Sequence, residues 1–375
     1  MKEKKLAIFL PRLGGGGAER IMVLLANQSV ARGLQVDLVL NTLDGPYIDD
    51  VDPRVRIIEL GALRVWKVLP RLVSYFRTHR PHAALSTLYR QNFLVILAHR
   101  VARSKARLVV REANTFSRQV EHERENLSRL RRAKGQIDLQ ILPRLYPLTD
   151  RVIAISEGVR QDLIHFLGLS PDHVETIHNP IDLDSVTTQG SIAEDGISKS
   201  EEVPLILSMG RLEAQKDFPT LLRGFAEARK VRPMKLIILG EGSQREALRE
   251  LARELSITDD LQMPGFLKNP FATIKKADLF CLASRWEGFG NVFIEALALG
   301  VPVVATDCPS GPAEILENGT YGSLVPVGDS AALAKAILQE LEAPRDKEIL
   351  RRRASFFSAH RVVPKYWQAL DLATS

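Results

Sequence analysis

A chain of 375 residues, 45% apolar and 26% charged, is longer than one hydrophobic core usually serves and too ordinary in composition for a disordered or fibrous protein, so two folded domains are expected. Its two cysteines, Cys281 and Cys308, each sit in or beside a strand-like apolar run, which leaves no basis for a disulfide framework or a zinc site. The net charge of +6 is uneven: residues 1–190 carry 28 Lys and Arg against 20 Asp and Glu, residues 191–375 carry 23 against 25, and residues 51–150 alone carry 20 against 8. A basic first half suits nucleic acid, anionic lipid or a phosphorylated substrate, and charge alone does not choose among them.

The opening MKEKKLAIFLP is charged and then apolar for too short a span to act as a signal peptide, and no apolar window of about 20 residues occurs. A cytoplasmic protein is expected, or one peripheral on the cytoplasmic face of the inner membrane. LAIFL from Leu6 reads as a strand, and LGGGGAER (Leu13–Arg20) as the turn into a helix beginning near Ala18. Four glycines remove every side chain from that turn, so backbone N–H groups and the helix start can approach a phosphate or a sugar; a bare tight turn is the plainer alternative. The GxGxxG spacing of a dinucleotide site and the lysine of a P-loop are both missing.

Further strand-like runs follow: VDLVL from Val36, AALSTL from Ala83, RLVVR from Arg107 and RVIAIS from Arg151. Their alternation with helical runs implies a parallel sheet covered by helices on both faces. From Pro70, PRLVSYFRTHR sets Leu72, Val73 and Phe76 on one helical face, edged by Arg71, Arg77 and Arg80. With Trp66 and the cluster RLRRAKG at Arg129–Gly135, this suits an anionic bilayer or a lipid pyrophosphate. An amphipathic helix packed on the sheet explains the pattern equally well. His178 and Asn179 in IHNPID read as structural.

The polar stretch TTQGSIAEDGISKSEE lacks periodicity and reads as a linker or surface loop. The expected organisation is a Rossmann-like domain over 1–186, a linker over 187–203, a second Rossmann-like domain over 204–355, and a helical segment over 356–375 packing back on the first domain. In the second half PLILSMG from Pro204, MKLIILG from Met234, LQMPG from Leu261, DLFCLAS from Asp278 and VPVVATD from Val301 repeat the pattern. In open parallel sheets ligands bind at the carboxyl ends of strands, so function is sought in the loops that follow them.

GRLEAQKD (Gly210–Asp217) is one such loop, where Arg211 with its planar fork and Lys216 as a mobile point charge can converge on a pyrophosphate; a solvated turn is the alternative. LGEGSQREALREL from Leu239 places Gly240 and Gly242 at a strand end, with Ser243 as helix N-cap. MPGFLKN (Met263–Asn269) offers Gly265 and Phe266 as backbone groups and an apolar wall for a flat base, or serves only as a loop. In EGFGNVFIEALALG, Gly288 and Gly290 flank Phe289, Gly290 or Asn291 caps a helix that Gly300 ends, Glu287 precedes that helix, and Glu295 lies about one turn inside it. One carboxylate there can accept hydrogen bonds from a sugar or meet a cation, while the other can hold a ribose diol.

Taken in this order, GGAER at Gly16–Arg20, GRLEAQKD at Gly210, LGEG at Leu239, the EX7E pattern Glu287–Glu295 and GVPVVATD resemble the family 4 retaining nucleotide-sugar glycosyltransferases, over nearly the whole chain. CPSGPAEIL (Cys308–Leu316) is similar to bacterial members that extend lipid-linked oligosaccharides or surface polysaccharides. The resemblance implies the GT-B fold, two facing doubly wound α/β domains with a cleft between them. It implies a nucleotide-sugar donor, by analogy a UDP-hexose or UDP-N-acetylhexosamine, and as acceptor a glycan or a polyprenyl-diphosphate-linked glycan. No metal and no cofactor are expected.

The catalytic set implied by the resemblance is Glu287, Arg211 and Lys216, the cations stabilising the diphosphate leaving group. Donor contacts would come from Gly15, Gly16 and Gly17, from Gly240 and Phe266, from Gly288, Phe289, Gly290 and Asn291, and from Glu295 on the ribose. Many relatives carry a histidine after the strand matching RLVVR, where this chain has Ala113, so Arg111, Glu112 and Asn114 are the expected residues on the acceptor side. Two other readings compete: a nucleotide-sugar epimerase, which the Arg211, Lys216, Glu287 and Glu295 set disfavours, and a non-enzymatic basic binding protein. Nucleic acid as the partner is disfavoured by an aromatic content of 6% and the lack of a recognised motif.

Overall fold

The computed structural model describes residues 4–62, 64–126, 141–192 and 202–373. The basic cluster expected at Arg129–Gly135 and most of the expected linker lie outside the described residues. The chain forms two compact units, one of Met1–Pro180 with Ala359–Ser375, the other of Ile181–Ser358. The division falls ahead of the expected boundary at 186, because the helix Leu183–Gln189 belongs to the second unit. Its end is fastened there by Asn269, whose side-chain amide donates to the Gln189 carbonyl.

The first unit is built on seven parallel strands: β1 (Lys5–Leu10), β2 (Gln35–Leu40), β3 (Arg56–Glu59), β4 (Ala83–Thr87), β5 (Arg107–Glu112), β6 (Arg151–Ala154) and β7 (Val174–Thr176), in the order 3-2-1-4-5-6-7. The order reverses between β1 and β4, which places the switch point of the sheet beside the loop that follows β1. Central strands are buried on both faces; Leu6–Leu10 are at most 1% exposed. β3 and β7 escape the sequence reading because both are short edge strands, and RIIE of β3 is only half-buried.

The helix Val65–His79 settles the two readings of the segment after Pro70. Leu72, Val73 and Phe76 are buried, and Phe9 of β1 packs against the rings of Tyr75 and Phe76 at 5.5 and 5.2 Å. The apolar stripe is therefore core, each large side chain contributing about 1.5–3 kcal/mol by leaving water. Arg71 donates to the Leu60 carbonyl and Arg77 to the Val101 carbonyl. Trp66, at 64% exposure, is left on the surface beside Arg64.

The second unit holds six parallel strands: β8 (Leu205–Met209), β9 (Lys235–Leu239), β10 (Leu261–Gly265), β11 (Leu279–Leu282), β12 (Val303–Thr306) and β13 (Ser323–Val325), in the order 10-9-8-11-12-13. Its switch point lies between β8 and β11, paired through Leu279 with Ile206 and Phe280 with Leu207. The loops GRLEAQKD and EGFG follow those two strands, so the topology alone brings Arg211, Lys216 and Glu287 to one crevice.

The closing helix, Ala359–Ala369, runs through Pro364 and joins the first unit. Trp367 donates from its indole N–H to Ser29 Oγ, Arg32 stacks on the Trp367 ring at 4.2 Å, and Arg107 donates to the Ala369 carbonyl.

Candidate active site

In the second unit, the loops after β8, β9 and β10 are laced together by main-chain hydrogen bonds. Gly210 N–H donates to the Leu239 carbonyl, Leu212 N–H to Glu241, and Gly240 N–H to Gly265. Gly240 adopts φ +131, and a Cβ there would stand 2.0 Å from the Gly210 carbonyl oxygen, so a side chain is barred on two grounds. Ser243 does not cap the following helix, which runs Arg245–Glu254 with Gln244 at its start; its N–H and hydroxyl both donate to the Glu213 carboxylate and tie this loop to that after β8. Phe266, just beyond β10, keeps 51% of its surface exposed.

Lys216 folds back over the end of β8. Its methylenes pass about where a Gly210 side chain would lie, 3.1–3.3 Å from that position. Its Nζ donates to Glu287 Oε1 at 2.5 Å, with the two side chains only 14% and 6% exposed. Ser284 Oγ donates to the same carboxylate oxygen at 2.6 Å, and the Thr306 hydroxyl donates to the Ser284 carbonyl. Arg211 is exposed and donates to Gln215 Oε1 at 3.3 Å; Gln215 in turn donates to the Trp286 carbonyl, one residue before Glu287. Two loops separated by some seventy residues of chain are thus joined by the Lys216–Glu287 pair, by a pair between Arg285 and Asp217 at 3.2 Å and by a polar relay, with Arg211 at the rim.

The turn after Glu287 is held from behind. Glu287 N–H donates to the Pro309 carbonyl at 3.2 Å, and Gly311, at φ +96, lies so close to Phe289 that a Cβ would be 1.9 Å from its carbonyl oxygen. Gly290, at φ +97, is the left-handed residue that starts the helix Asn291–Ala298, and Asn291 is therefore the first helical residue and not the cap. Glu295 lies inside this helix at 1% exposure. Cys308 is buried next to this turn, and its thiol is pushed up to about 12 by burial and, secondarily, by the Glu287 charge, which keeps it neutral and unreactive.

In the first unit, the glycine loop after β1 is braced by its neighbour after β2. Leu13 N–H donates to the Asp44 carbonyl, Tyr47 OH donates to the Gly15 carbonyl at 3.2 Å, and Gly15 takes φ +85. The helix starts at Gly17, one residue earlier than expected, with Gly16 as its N-cap. A Cβ on Gly16 would meet the Glu19 carboxylate at 2.4 Å, so glycine there lets that side chain fold back over the helix start.

Arg111 and Glu112, expected on the acceptor side, are instead engaged inside the first unit. Arg111 is 0% exposed: its Nε donates to Tyr366 OH at 3.2 Å, Nη1 to Thr87 Oγ1 at 3.0 Å, and Nη2 to Asn179 Oδ1. Asn179 is thus structural, as its sequence context suggests. Glu112 accepts from Asn92 Nδ2 at 2.8 Å and from the Tyr146 hydroxyl. Burial raises its carboxyl to about 7 despite those two hydrogen bonds and the neighbouring Arg111 charge, which pull the other way. Asn114 is half-buried and its side-chain oxygen accepts from Thr115 N–H. The buried partners Asn92, Tyr146 and Tyr366 carry no sequence signal, since they come from three distant segments and are polar groups in otherwise ordinary helices. Among the described residues no group of three or more His, Cys, Asp or Glu side chains is placed to hold a metal ion.

Comparison with known proteins identifies the family. Residues 15–185 match the model of Glycosyltransferase Family 4, and residues 193–355 match that of Glycosyl transferases group 1. The chain belongs to the family 4 glycosyltransferases, with two units of the GT-B fold and relatives that build bacterial surface glycans. It is 30% identical over 361 residues, 94% of each chain, to the N-acetylgalactosamine-N,N'-diacetylbacillosaminyl-diphospho-undecaprenol 4-alpha-N-acetylgalactosaminyltransferase of Campylobacter jejuni. It is 33% identical over 209 residues to the lipopolysaccharide 1,6-galactosyltransferase of Escherichia coli, covering 53% of this chain and 55% of that one. Among solved structures, the sucrose-phosphate synthase of Thermosynechococcus elongatus superposes with a TM-score of 0.80 at 19% identity over 98% of both chains, a likeness of fold.

Proposed function

We propose that this glycosyltransferase takes a hexose or N-acetylhexosamine from a UDP-sugar and adds it, with retention of configuration and without a metal ion, to a lipid-diphosphate-linked or surface-glycan acceptor. The observation that carries this reading is the buried Lys216–Glu287 pair at the switch point of the second sheet, with Arg211 joined to it through Gln215 and Trp286. As the bond between the sugar C1 and the phosphate oxygen breaks, negative charge grows on the departing diphosphate. Lys216 and Arg211 supply fixed positive charge for it, and removing one such stabilising group typically costs about 10²–10³ in kcat.

Glu287 holds the Lys216 ammonium in place and turns the loop so that the amides around Phe289 and Gly290 face the sugar. Glu295 receives the ribose hydroxyls. No enzymic nucleophile is needed if the departing phosphate oxygen, its bond to C1 broken, takes the proton of the acceptor hydroxyl while the acceptor oxygen bonds to C1 on the face just vacated, which preserves the anomeric configuration. The acceptor class is supported by the Campylobacter relative, whose name specifies a diphospho-undecaprenol acceptor, and by the lipopolysaccharide enzyme of Escherichia coli.

No helix among the described residues is long and apolar enough to cross a membrane. Contact with an anionic bilayer from the cytoplasmic side would rest on exposed Trp66 with Arg64 and Lys67, because the apolar face of their helix is core.

Incubation of the purified chain with UDP-, GDP- and ADP-sugars and polyprenyl-diphosphate glycans, with EDTA present, tests the proposal. Transfer from a UDP-sugar at an EDTA-insensitive rate, with an α product from an α donor by nuclear magnetic resonance, is the expected result. An inverted anomer removes the retaining assignment, and lack of transfer from any nucleotide sugar removes the substrate class. Equal recovery on neutral and anionic liposomes at low salt would remove the membrane contact.

A further inference from the structure

Behind the turn Glu287–Gly290 lies the segment CPSGPAEIL. Pro309 accepts from Glu287 N–H, Gly311 abuts the Phe289 carbonyl, and the chain then enters the short helix Pro312–Ile315, anchored by Ile315 N–H to the Gly311 carbonyl at 2.8 Å. A four-residue helix leaves most of its carbonyls without intrahelical partners and is unstable alone. One side chain from the helix Lys347–Ser355 supplies what it lacks. Arg353 donates from Nε to the Ile315 carbonyl at 2.8 Å and from Nη2 to the Glu314 carbonyl at 2.6 Å, while Nη1 lies 3.9 Å from the Glu317 carboxylate.

The same guanidinium reaches the turn by a second route. Its centre lies 5.1 Å from the Phe357 ring centroid and 5.3 Å from that of Tyr321, and Phe357 meets Phe289 edge-on at 5.5 Å and 72°. Arg353 is thus joined to Phe289 once through main chain, by way of the short helix and Gly311, and once through the Phe357 ring. Its side chain is 12% exposed, so these contacts are made largely out of water, where a planar fork that both stacks and donates has no lysine equivalent.

We propose that Arg353 is a positioning residue for sugar-nucleotide binding: by bracing the short helix and the Phe357 ring together, it sets where the Phe289 and Gly290 amides point. This rests on the proposed donor role of those amides. Binding energy from a fixed loop is lost when the loop must be ordered by the ligand, so loss of the brace is read as weaker donor binding, not as slower chemistry.

The test uses Arg353→Met and Arg353→Lys in the full chain, with Phe357→Leu as a variant that cuts only the ring route. Hydrogen–deuterium exchange is followed at residues 287–290 and 311–316 and, as reference, at β8 and β9. In Arg353→Met, exchange at 287–290 is expected to rise about tenfold with β8 and β9 unchanged, and the donor KM about tenfold with kcat and acceptor KM unaltered. Arg353→Lys should restore only part of both, and Phe357→Leu should raise exchange at 287–290 by less than Arg353→Met does. Unchanged exchange at 287–290, or a uniform rise across the second unit, overturns the proposal, as does a donor KM equal to that of the unaltered chain. If the unaltered chain transfers from no nucleotide sugar, the donor reading fails, and exchange alone then decides whether Arg353 positions the turn.

Discussion

Two strand ends in this protein carry buried charge, and they differ in what holds it. At the end of β5, Arg111 donates through each of its three nitrogens to neutral groups, the Thr87 and Tyr366 hydroxyls and the Asn179 amide, beside the Glu112 carboxyl. At the end of β11, Glu287 meets a cation from the loop after β8, across the point where the strand order reverses. A buried cation tied to neutral groups from distant segments fastens a fold. A buried ion pair between two loops at a switch point is poised for a charged ligand, because a further charge can be balanced there without leaving either partner bare. Burial by itself separates neither case; the identity and origin of the partners do.

The sharpest way to break this contrast is to cut each end separately. Lys216→Ala and Glu287→Ala should each lower kcat by about 10²–10³ while the protein stays folded by circular dichroism. The double variant should lose little more than either single one, since the two act as a unit. Near-normal turnover in both single variants would remove the pair from the chemistry. Arg111→Met should show the opposite pattern: about 2–3 kcal/mol less stability by denaturant titration, because hydroxyl and amide partners are left unpaired in the core, with kcat per folded molecule unchanged. A large kcat loss in Arg111→Met would return that residue to the acceptor side, where the sequence had placed it.

A smaller change probes the loops around the pair. Gly240→Ala forces φ +131 on a residue with a Cβ and drives that atom toward the carbonyl of Gly210, the residue against whose Cβ position the Lys216 stem packs. A cost of about 1–3 kcal/mol is expected for the backbone conformation, and the donor KM should rise as Lys216 is displaced. An unaltered KM with reduced stability would show that the Lys216 ammonium finds Glu287 without the glycine's help.

Motif-bearing loops were the legible part of this site. Glycine, Arg211, Lys216 and the paired Glu287 and Glu295 follow strand-like runs whose apolar continuity is strong, so both the order of the elements and the loops worth watching can be read off directly. The edge strands β3 and β7 were hidden because RIIE and VET are too short and too exposed for periodicity to register. Ser243 was misread for a different reason: a serine before a helix suggests a cap, and only the three-dimensional proximity of Glu213 draws it away. Arg111 and Glu112 in RLVVREANTF were expected to face an acceptor, and their burial is not legible because sequence does not show that Tyr366, near the chain's far end, comes back to meet Arg111 or that Asn92 and Tyr146 meet Glu112.

Glu112 gives the finest test, through pH. Burial raises its carboxyl from 4.5 to about 7, against the hydrogen bonds from Tyr146 and Asn92. The folded protein therefore holds a proton that the unfolded chain releases, and from about pH 4.5 to about pH 7 this group makes the fold less stable as pH rises; above that range both states are charged and its effect is constant. Glu112→Gln keeps an oxygen acceptor for Tyr146 and Asn92 but cannot ionise. Relative to the unaltered chain it should gain stability steadily across that window in denaturant titrations, and the difference should level off above about pH 7. A difference that stays flat through the window would mean that the carboxyl titrates normally and that the end of β5 is wetter than its neighbours make it. A difference of the opposite slope would mean the ionised carboxylate is the favoured form, held by Arg111, and the two strand ends would then be alike in depending on an ion pair.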